Sequence, residues 1–295
     1  MRISIIIPTY ERQSLLFDLV KKLNKQNFSN YEVFILDQSL KDLTLKFKDY
    51  KNLNFELNYI HLNKPSVCYA RNLGVKKSKS KIILFLDDDM FPNDYNYLTK
   101  IENYMSQNKN IDAIQGQIIE NNRKKMRFNN KDDFSNTFNK ETEEIDILVT
   151  GNCIIRKKAF ISVYGFNEQY KGQTFGFEDG DLGKRLIKKG YRIRFVPKIV
   201  VNHLHFKTGG NRDNDSNFVL NFHNSPKRFI TYFQYYDEHY SGLNKLINFL
   251  KIYQKILKND VLRIWRIPLY VIPGIIFAFL IARKRRKEGF KSIFK

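Results

Sequence analysis

The sequence has few cysteines and lacks several motifs that mark common protein classes. Its 295 residues include two cysteines, Cys68 and Cys153, too few for a disulfide framework or a metal–thiolate site, which fits a reducing compartment. No Gly-x-Gly-x-x-Gly motif follows the first strand-like segment and no Walker-type loop occurs, which argues against the usual dinucleotide-binding and P-loop folds. Zinc-finger spacings and RNA-recognition signatures are also missing. The first apolar run stops at Pro8, too early for a signal-peptide core, so we expect no secretory signal.

Acidic residues are scarce relative to basic ones. The chain has 51 Lys and Arg against 30 Asp and Glu, a formal net charge of +21. Such an excess calls for an anionic partner: a phosphorylated substrate, a nucleic acid or a membrane surface. Residues 227–295 carry 15 Lys or Arg against 4 Asp or Glu, and they also contain the most apolar stretch of the chain. Basic and apolar residues together favour a membrane surface over nucleic acid.

The first 120 residues or so alternate between strand-like and helix-like patterns. Strand patterns cover residues 2–7, 31–37, 53–61, 81–86 and 111–119, and helical spacing covers 14–25, 66–77 and 93–107. This order predicts an α/β fold with a mostly parallel sheet and helices on both faces. Residues 120–140 are polar and indicate a loop, and structured patterns return at 145–156, 179–189 (a helix) and 191–196 (a strand). The pattern is helical from about residue 217, so we expect one domain at 1–215 and a helical region at 216–295.

An acidic triplet, Asp87, Asp88 and Asp89, closes the apolar run at residues 82–86. Carboxylates stacked at the end of a buried strand repel one another and lose solvation, so a cation is their natural partner. Mg²⁺ and Mn²⁺ prefer oxygen ligands and often share them with the phosphates of a substrate. The alternative for the triplet alone is a solvated acidic turn.

Two further polar clusters follow strand-like segments. Because the carboxyl ends of parallel strands meet at one edge of a sheet, the three clusters together predict a crevice that holds a nucleotide and its metal ion. Each cluster alone is also consistent with an ordinary turn, and for Asp37 by itself this is the simpler interpretation. The two clusters are Pro8, Thr9, Tyr10 and Glu11 after the first strand, and Asp37, Gln38 and Ser39 after the second.

Six short segments resemble, in order, the motifs of family 2 glycosyltransferases with the GT-A fold. They are residues 4–12, 70–74, 86–90, 176–182, 184–186 and 190–192, and the resemblance covers about residues 2–212. Each motif is weak alone, whereas the ordered set is specific. The resemblance implies an inverting transferase that uses a nucleotide-diphospho-sugar and a divalent metal ion, Mn²⁺ or Mg²⁺, with residues 1–215 as its GT-A catalytic domain.

The resemblance also implies roles for the clustered residues. In the D-x-D motif formed by the triplet, Asp89 is expected to bind the metal and Asp87 to contact the ribose and the metal. Asp88 occupies the variable middle position of this nucleotide-binding group. Many relatives carry two acids after the second strand, whereas this chain has only Asp37, which leaves the base preference less secure. The nucleotide is expected to contact Pro8, Thr9, Tyr10, Glu11, Asp37 and Arg71.

A second acidic motif, Glu178-Asp179, offers a general base. An inverting displacement needs one carboxylate on the acceptor side of the sugar to take the hydroxyl proton. By resemblance Asp179 is this base, at the start of a helix where the dipole favours an anion. The alternative is that Glu178 and Asp179 have no catalytic role and merely occupy a helix N-terminus, where acids are common. Gly151 and Asn152 resemble a small-residue turn lining the donor-sugar or acceptor pocket, and Glu178 is placed there with them.

A histidine completes the predicted metal site. Imidazole is an acceptable third ligand for Mn²⁺ beside carboxylates. Many relatives carry a histidine downstream of the acidic base motif with a Gly-Gly pair six residues on, which here is Gly209-Gly210. This arrangement points to His203, with His205 as the weaker candidate. The alternative is that both are structural or surface residues.

The C-terminal quarter predicts contact with a membrane. Residues 267–282 carry no charge and lie between Arg263 and Arg266 on one side and the basic run 283–287 on the other. Spanning the hydrocarbon takes about 20 residues. We therefore expect a helix that lies in, or dips into, the cytoplasmic leaflet of the cell membrane, held there by anionic lipid. A tilted span and a core helix with a solvated basic tail are the alternatives.

These patterns together predict an enzyme of polysaccharide biosynthesis at the inner face of a bacterial-type cell membrane. It moves a sugar from a UDP-linked donor to a hydroxyl of a growing cell-surface glycan or a lipid-linked acceptor, and it binds no nucleic acid. Two other functions are compatible with parts of the sequence. One is a nucleotidyltransferase acting on sugar phosphates, and the other is a non-catalytic basic protein that binds membranes or nucleic acid.

Overall fold

The computed structural model describes most of residues 1–204 and parts of the C-terminal region. The described residues are 1–48, 50, 52–120, 142–143, 145, 148–170, 177–204, 234–235, 238–241, 243 and 272–295. The predicted loop after residue 120, His205, Gly209-Gly210 and most of the predicted helical region lie outside these ranges.

The first half of the chain forms the parallel sheet that the sequence predicts. Strands β1 (Ile3–Thr9), β2 (Tyr31–Asp37), β3 (Glu56–His61) and β4 (Ile82–Leu86) lie in the order β3-β2-β1-β4, and every neighbouring pair is parallel. Helices α1 (Gln13–Leu23), α3 (Val67–Lys77) and α4 (Tyr97–Gln107) form at the positions with helical spacing. The five-residue helix α2 (Thr44–Lys48) was not predicted, because such a short segment gives no clear periodicity.

The second half adds antiparallel pairs to the sheet. It contains β5 (Met90–Pro92), β6 (Ala113–Glu120), β7 (Thr142–Glu143), β8 (Asn152–Arg156), β9 (Ile193–His203), α5 (Lys157–Ser162), α6 (Phe177–Lys188) and α7 (Ile272–Glu288). Strand β8 inserts between β4 and β6, antiparallel to both, and the full order is β3-β2-β1-β4-β8-β6-β9-β5 with β7 beside β9. The sheet is therefore parallel in its first half and mixed in its second.

Two apolar cores cover the two faces of this sheet. Successive side chains of a strand point to opposite faces, so Ile5 and Ile7 enter one core while Ile6 enters the other. The first core includes residues of α1, α2 and α4, and the second includes residues of α3, α5 and α6. Helices on both faces are therefore confirmed.

Strand register brings distant polar segments to one edge of the sheet. Thr9 pairs with Asp37, which pairs with His61, so the first three strands end level with one another. Leu86, the last residue of β4, pairs with Asn152, the first residue of β8. The acidic triplet after β4 therefore lies beside the turn that precedes β8.

No helix within the described part of the chain is both long enough and apolar enough to cross a membrane. Helix α7 covers the second part of the apolar segment predicted at 267–282, and residues 267–271 lie outside the described ranges.

Candidate active site

The middle residue of the acidic triplet, Asp88, belongs to a buried network. Its carboxylate accepts hydrogen bonds from the Thr9 hydroxyl at 2.7 Å and from Arg12 Nη1 at 2.8 Å. Burial raises the pKa of Asp88 to about 7, although Arg12 opposes this shift. The network ties the end of β1 to the end of β4. The predicted contact of Asp88 with the nucleotide stays a prediction, because these internal partners already account for its position.

Asp89 lies next to Arg12 and His203. Its Oδ2 atom is 2.9 Å from Arg12 Nη1 and 3.3 Å from His203 Nε2. The side chains of Asp89 and His203 are almost fully buried. His203 is the last residue of β9 and pairs with Met90, which directly follows Asp89. The structure therefore brings together two of the three predicted metal ligands, which are 114 residues apart in sequence.

Asp87 turns towards the other side of the site. Its Oδ1 atom accepts a hydrogen bond from Arg71 Nη2 at 2.9 Å, and its side chain is 33% exposed. A Cβ atom added to Gly151 would lie 3.3 Å from Asp87 Oδ2 and 2.6 Å from the Met90 side chain. Gly151 therefore lies against Asp87 and Met90, and its predicted place in the donor-sugar or acceptor pocket stays a prediction.

Asp179, the predicted base, lies at the start of α6 and is 6% exposed. It accepts hydrogen bonds from the Thr150 hydroxyl at 2.8 Å and from the Thr150 amide at 3.2 Å. Burial and the neighbouring Glu178 raise the pKa of Asp179 to about 8, while Arg71 and Thr150 oppose the rise. A carboxyl group with a pKa near the working pH can accept and release a proton, which suits a general base.

Arg71 connects the two acidic groups. Its Nη1 atom is 3.6 Å from both Glu178 Oε1 and Asp179 Oδ1, while its Nη2 atom bonds to Asp87. Burial alone would lower the pKa of Arg71, but these three carboxylates outweigh it and raise the pKa. Arg71 Nε and Nη1 and Glu178 Oε2 have no hydrogen-bond partner among the described residues. Buried donors and an acceptor left open side by side are what a ligand with hydroxyl or phosphate groups requires.

The ends of β1 and β2 are joined by hydrogen bonds. The Glu11 amide donates to Ser39 Oγ at 2.7 Å, and Glu11 Oε1 accepts from the Leu40 amide at 2.7 Å. Asp37 has no exposed surface, and its oxygens accept from the Ser39 amide at 2.9 Å and from the Tyr59 hydroxyl at 2.8 Å. These contacts agree with an ordinary turn at Asp37, and its predicted contact with a base stays a prediction.

Asn152 is part of the protein interior, and the structure does not place it in the pocket where the sequence predicts it. It has no exposed surface. Its amide nitrogen donates to the carbonyls of Gln117 at 2.9 Å and Ile199 at 3.0 Å, and its oxygen accepts from the Tyr97 hydroxyl at 2.6 Å. The side chain of Asn152 thus bonds to β6, β9 and α4, and it holds these elements together beneath the site. Pro8 is likewise buried within β1, opposite Leu36 of β2.

The donor set at the edge of the sheet fits a divalent cation in part. Adjacent ligands of an octahedral ion with bonds of about 2.1 Å lie about 3 Å apart, which matches the separation of 3.3 Å between Asp89 Oδ2 and His203 Nε2. Asp87, however, faces Arg71. Among the described residues, three ligand atoms come within 4.8 Å of one another only in Asp181, Glu238 and His239. At the predicted site Arg12 and Arg71 provide the positive charge.

Two site residues were not identified from the sequence. Arg12 stands inside the first motif but received no role, although its buried guanidinium contacts both Asp88 and Asp89. Thr150 directly precedes Gly151, and it provides both hydrogen bonds to Asp179. A cation beside an acidic motif could have signalled Arg12. Thr150 carries no such signal, because it meets Asp179 only through the tertiary fold.

Comparison with known proteins gives two family matches. A family described as glycosyl transferase family 2 matches residues 4–163, and one described as N-terminal domain of galactosyltransferase matches residues 134–208. A similar curated protein is the poly(ribitol-phosphate) beta-N-acetylglucosaminyltransferase TarS of Staphylococcus aureus, which is 31% identical over 97 residues. That match covers 32% of this chain and 17% of TarS. The chain thus spans less than a fifth of this relative.

Solved structures show the same fold. S. aureus TarS 1-349 in complex with UDP-GlcNAc matches with a TM-score of 0.61 and 20% identity, covering 81% of this chain and 66% of that one. A mannosyltransferase from Pyrobaculum calidifontis, in complex with GDP-Man and Mn²⁺, matches with a TM-score of 0.59 and 13% identity, covering 99% and 77%. These likenesses confirm the predicted GT-A fold of the chain.

Proposed function

Because the chain belongs to glycosyl transferase family 2, we propose that it is an inverting, metal-dependent glycosyltransferase. It moves a sugar from a nucleotide-diphospho-sugar to a hydroxyl of a growing cell-surface glycan or a lipid-linked acceptor. The observation that carries this proposal is the position of Arg71, whose guanidinium contacts Asp87 on one side and Asp179 on the other. Arg71 therefore bridges the predicted diphosphate end of the site and the predicted base.

In this proposal Asp179 takes the proton from the acceptor hydroxyl as its oxygen attacks the anomeric carbon. The bond from that carbon to the nucleoside diphosphate breaks on the opposite face, so the configuration inverts. Thr150 holds the carboxylate by two hydrogen bonds, at 2.8 Å and 3.2 Å, and so fixes the direction of its free lone pairs. A base held in position lowers the barrier because no reorientation is needed in the transition state.

Asp89 and His203 are the residues that would hold the metal ion, together with Asp87 as the third predicted ligand. Bound there, Mn²⁺ or Mg²⁺ supplies Lewis-acid stabilisation of the leaving diphosphate. Arg12 keeps Asp89 in place through the contact at 2.9 Å. The open Nε and Nη1 atoms of Arg71 offer hydrogen-bond donors to the donor substrate beside it.

We propose a UDP-sugar as the donor, and a panel of ligands tests this choice. The complex of TarS with UDP-GlcNAc supports uracil, whereas the mannosyltransferase complex contains GDP-Man. Nucleotides and nucleotide sugars should be compared by thermal shift with Mn²⁺ or Mg²⁺ present. A UDP-sugar present at 100 times its Kd should raise the free energy of unfolding by about 3 kcal/mol. A larger shift with GDP-sugars would overturn the choice of base.

Transfer or donor hydrolysis, measured with and without EDTA, tests the proposed activity. We expect loss of activity with EDTA and in Asp89→Ala, and recovery of the EDTA-treated protein after Mn²⁺ is added. Asp181→Asn is the matched control for Asp179→Asn, because Asp181 is also a buried carboxylate on α6 but pairs with Arg185. Release of free nucleoside diphosphate is the expected product. Release of pyrophosphate would instead identify a nucleotidyltransferase.

A further inference from the structure

The C-terminal segment is fixed to the catalytic domain along one side of α7. Ala282 is 6% exposed. The backbone carbonyl of Arg285 accepts a hydrogen bond from Gln169 Nε2 at 2.9 Å, and that of Lys291 accepts from the Glu168 amide at 2.8 Å. These contacts define the inward side of the helix.

Two aromatic residues after the helix strengthen this attachment. The Phe290 ring lies 4.8 Å from the guanidinium of Arg185 on α6. The Phe294 ring meets the Phe160 ring edge to face, with centroids 5.8 Å apart. Both contacts are of types that contribute about 1 kcal/mol each. The end of the chain therefore holds α7 in a defined orientation relative to the catalytic domain.

The outward side of α7 carries apolar residues followed by cations. Ile276 is 55% exposed and Leu280 is 56% exposed, and Arg283 and Lys287 are exposed as well. At about 100° per residue these four positions fall within an arc of about 60° on the helix surface. We call these four residues the outward face. Ala282, which is buried, and Arg285, whose backbone carbonyl bonds to Gln169, lie on the opposite side.

We propose that the outward face of α7 binds the surface of an anionic lipid bilayer. Large exposed aliphatic side chains on a helix suit the apolar boundary of a bilayer, and neighbouring Lys and Arg suit its headgroups. Residues 272–295 contain seven Lys or Arg and one Glu. Exposed Lys284 and Arg286 flank the outward face and widen its positive charge.

Charge and composition favour a lipid surface over two other occupants. A second copy packed on this face by two-fold symmetry would bring the cations of both copies, Arg283 and Lys287 twice over, into one interface, and like charges repel. A nucleic acid would satisfy the cations but leaves Ile276 and Leu280 exposed, since phosphate contacts dominate such binding. An anionic bilayer satisfies both halves of the face.

The contacts between the C-terminal segment and the catalytic domain also fix the orientation of the site relative to the membrane. Glu168, which bonds to Lys291, also accepts a hydrogen bond from Asn72 Nδ2 at 2.8 Å. Asn72 is the neighbour of Arg71 on α3. The segment that follows α7 is thus connected to the neighbour of Arg71 through two hydrogen bonds, so binding by the outward face gives the catalytic domain one fixed orientation on the lipid surface.

Co-sedimentation of the full chain with vesicles tests this proposal. Vesicles of phosphatidylcholine alone are compared with vesicles in which about a third of the lipid is phosphatidylglycerol. We expect binding to the anionic vesicles, weaker binding at higher salt, and little binding to the neutral ones. Arg283→Gln with Lys287→Gln should weaken binding about 30-fold, because each surface cation contributes about 1 kcal/mol. Leu280→Asp should also weaken it.

The matched control neutralises two exposed lysines on another helix. Lys76→Gln with Lys77→Gln removes the same charge from α3 and should leave vesicle binding within about threefold of the original. Thermal unfolding checks that each variant is folded, and the salt series on the original chain gives a readout that needs no variant. Equal loss of binding in both double variants would overturn the proposal. So would a dimer that Leu280→Asp dissociates while vesicle binding persists.

Discussion

Two buried carboxylates on α6, two residues apart, show opposite electrostatic behaviour. Asp179 is 6% exposed and Asp181 is 1% exposed, and burial alone raises the pKa of both. The two oxygens of Asp181 contact Arg185 Nη2 at 2.6 Å and His239 Nε2 at 2.8 Å, and these two neighbours lower its pKa. Asp179 has the neutral Thr150 and a share of Arg71, and its pKa rises to about 8.

The difference separates a site built for chemistry from one built for stability. Arg71 is shared among three carboxylates, so the edge of the sheet has more negative charge than its own cations neutralise. At Asp181 the compensating partners lie within the fold, because Arg185 pairs with one carboxylate oxygen and the His239 imidazole contacts the other. A buried surplus of one charge lowers stability and is retained where a ligand or a reaction uses it. In the nearby group of Asp181, Glu238 and His239, the Asp181 carboxylate already pairs with Arg185, which disfavours a metal ion there.

The largest expected effect is the loss of activity in Asp179→Asn. An amide cannot take the acceptor proton, so kcat should fall by about 10²- to 10⁴-fold. Thermal shift with the donor and Mn²⁺ should remain near that of the original chain, because in the proposed mechanism Asp179 acts on the acceptor and not on the donor. Steady-state kinetics beside the thermal-shift titration checks both. A variant that retains full kcat removes Asp179 from the mechanism.

Asp181→Asn should instead damage stability. It leaves the Arg185 guanidinium without its buried counter-charge, which costs about 3–5 kcal/mol. For a chain of this size that lowers Tm by about 4–8 °C, while kcat per folded molecule stays close to the original. Calorimetry and active-site-normalised kinetics measure the two quantities. A large loss of kcat at unchanged Tm would reverse the contrast between the two carboxylates.

The sequence predicted the first half of the fold well because local patterns suffice there. Strand β2 contains an apolar run at residues 33–36, and its predicted bounds at residues 31–37 agree with the structure. The acidic triplet follows β4 as predicted, and β9 carries His203 to Asp89. Strand periodicity gives the position of each polar strand end, and the parallel arrangement brings these ends to one edge.

The rest of the fold depends on pairing between segments that are distant in sequence, and local sequence patterns do not reveal this pairing. The insertion of β8 between β4 and β6, antiparallel to both, depends on contacts between residues about 40 to 70 positions apart. This insertion buries Asn152 and brings Thr150 to Asp179. The same limit applies to Arg12, because only the folded edge reveals that it contacts Asp88 and Asp89.

Arg71→Gln should shift the pH dependence of the reaction. Arg71 opposes the rise in the pKa of Asp179, so its removal should raise that pKa further. The base must be ionised to act, and the acidic limb of kcat/KM, which reports the free enzyme, should therefore move upward by about one pH unit. Arg71→Lys keeps the charge and should shift the limb less. A limb that is unchanged in Arg71→Gln would assign Arg71 to binding alone.

The smallest expected effect is a pair of opposite changes in stability with pH. Since the pKa of Asp179 is raised from 3.8 to about 8, the folded chain keeps a proton that the unfolded chain releases. The free energy of unfolding therefore falls as pH rises from about 4 to 8, and Asp179→Asn should remove this loss and raise Tm by about 2 °C or more at pH 8.

Asp181 has a lowered pKa, so its stabilisation is full at neutral pH and is lost in acid as pH falls through the pKa of the folded state. Melting curves at pH 5 and pH 8 should thus show that the Tm of Asp179→Asn rises relative to that of the original chain towards pH 8. The Tm of Asp181→Asn should lie below that of the original chain at both pH values. Parallel curves for all three proteins would mean that the two carboxylates have the same electrostatic environment after all.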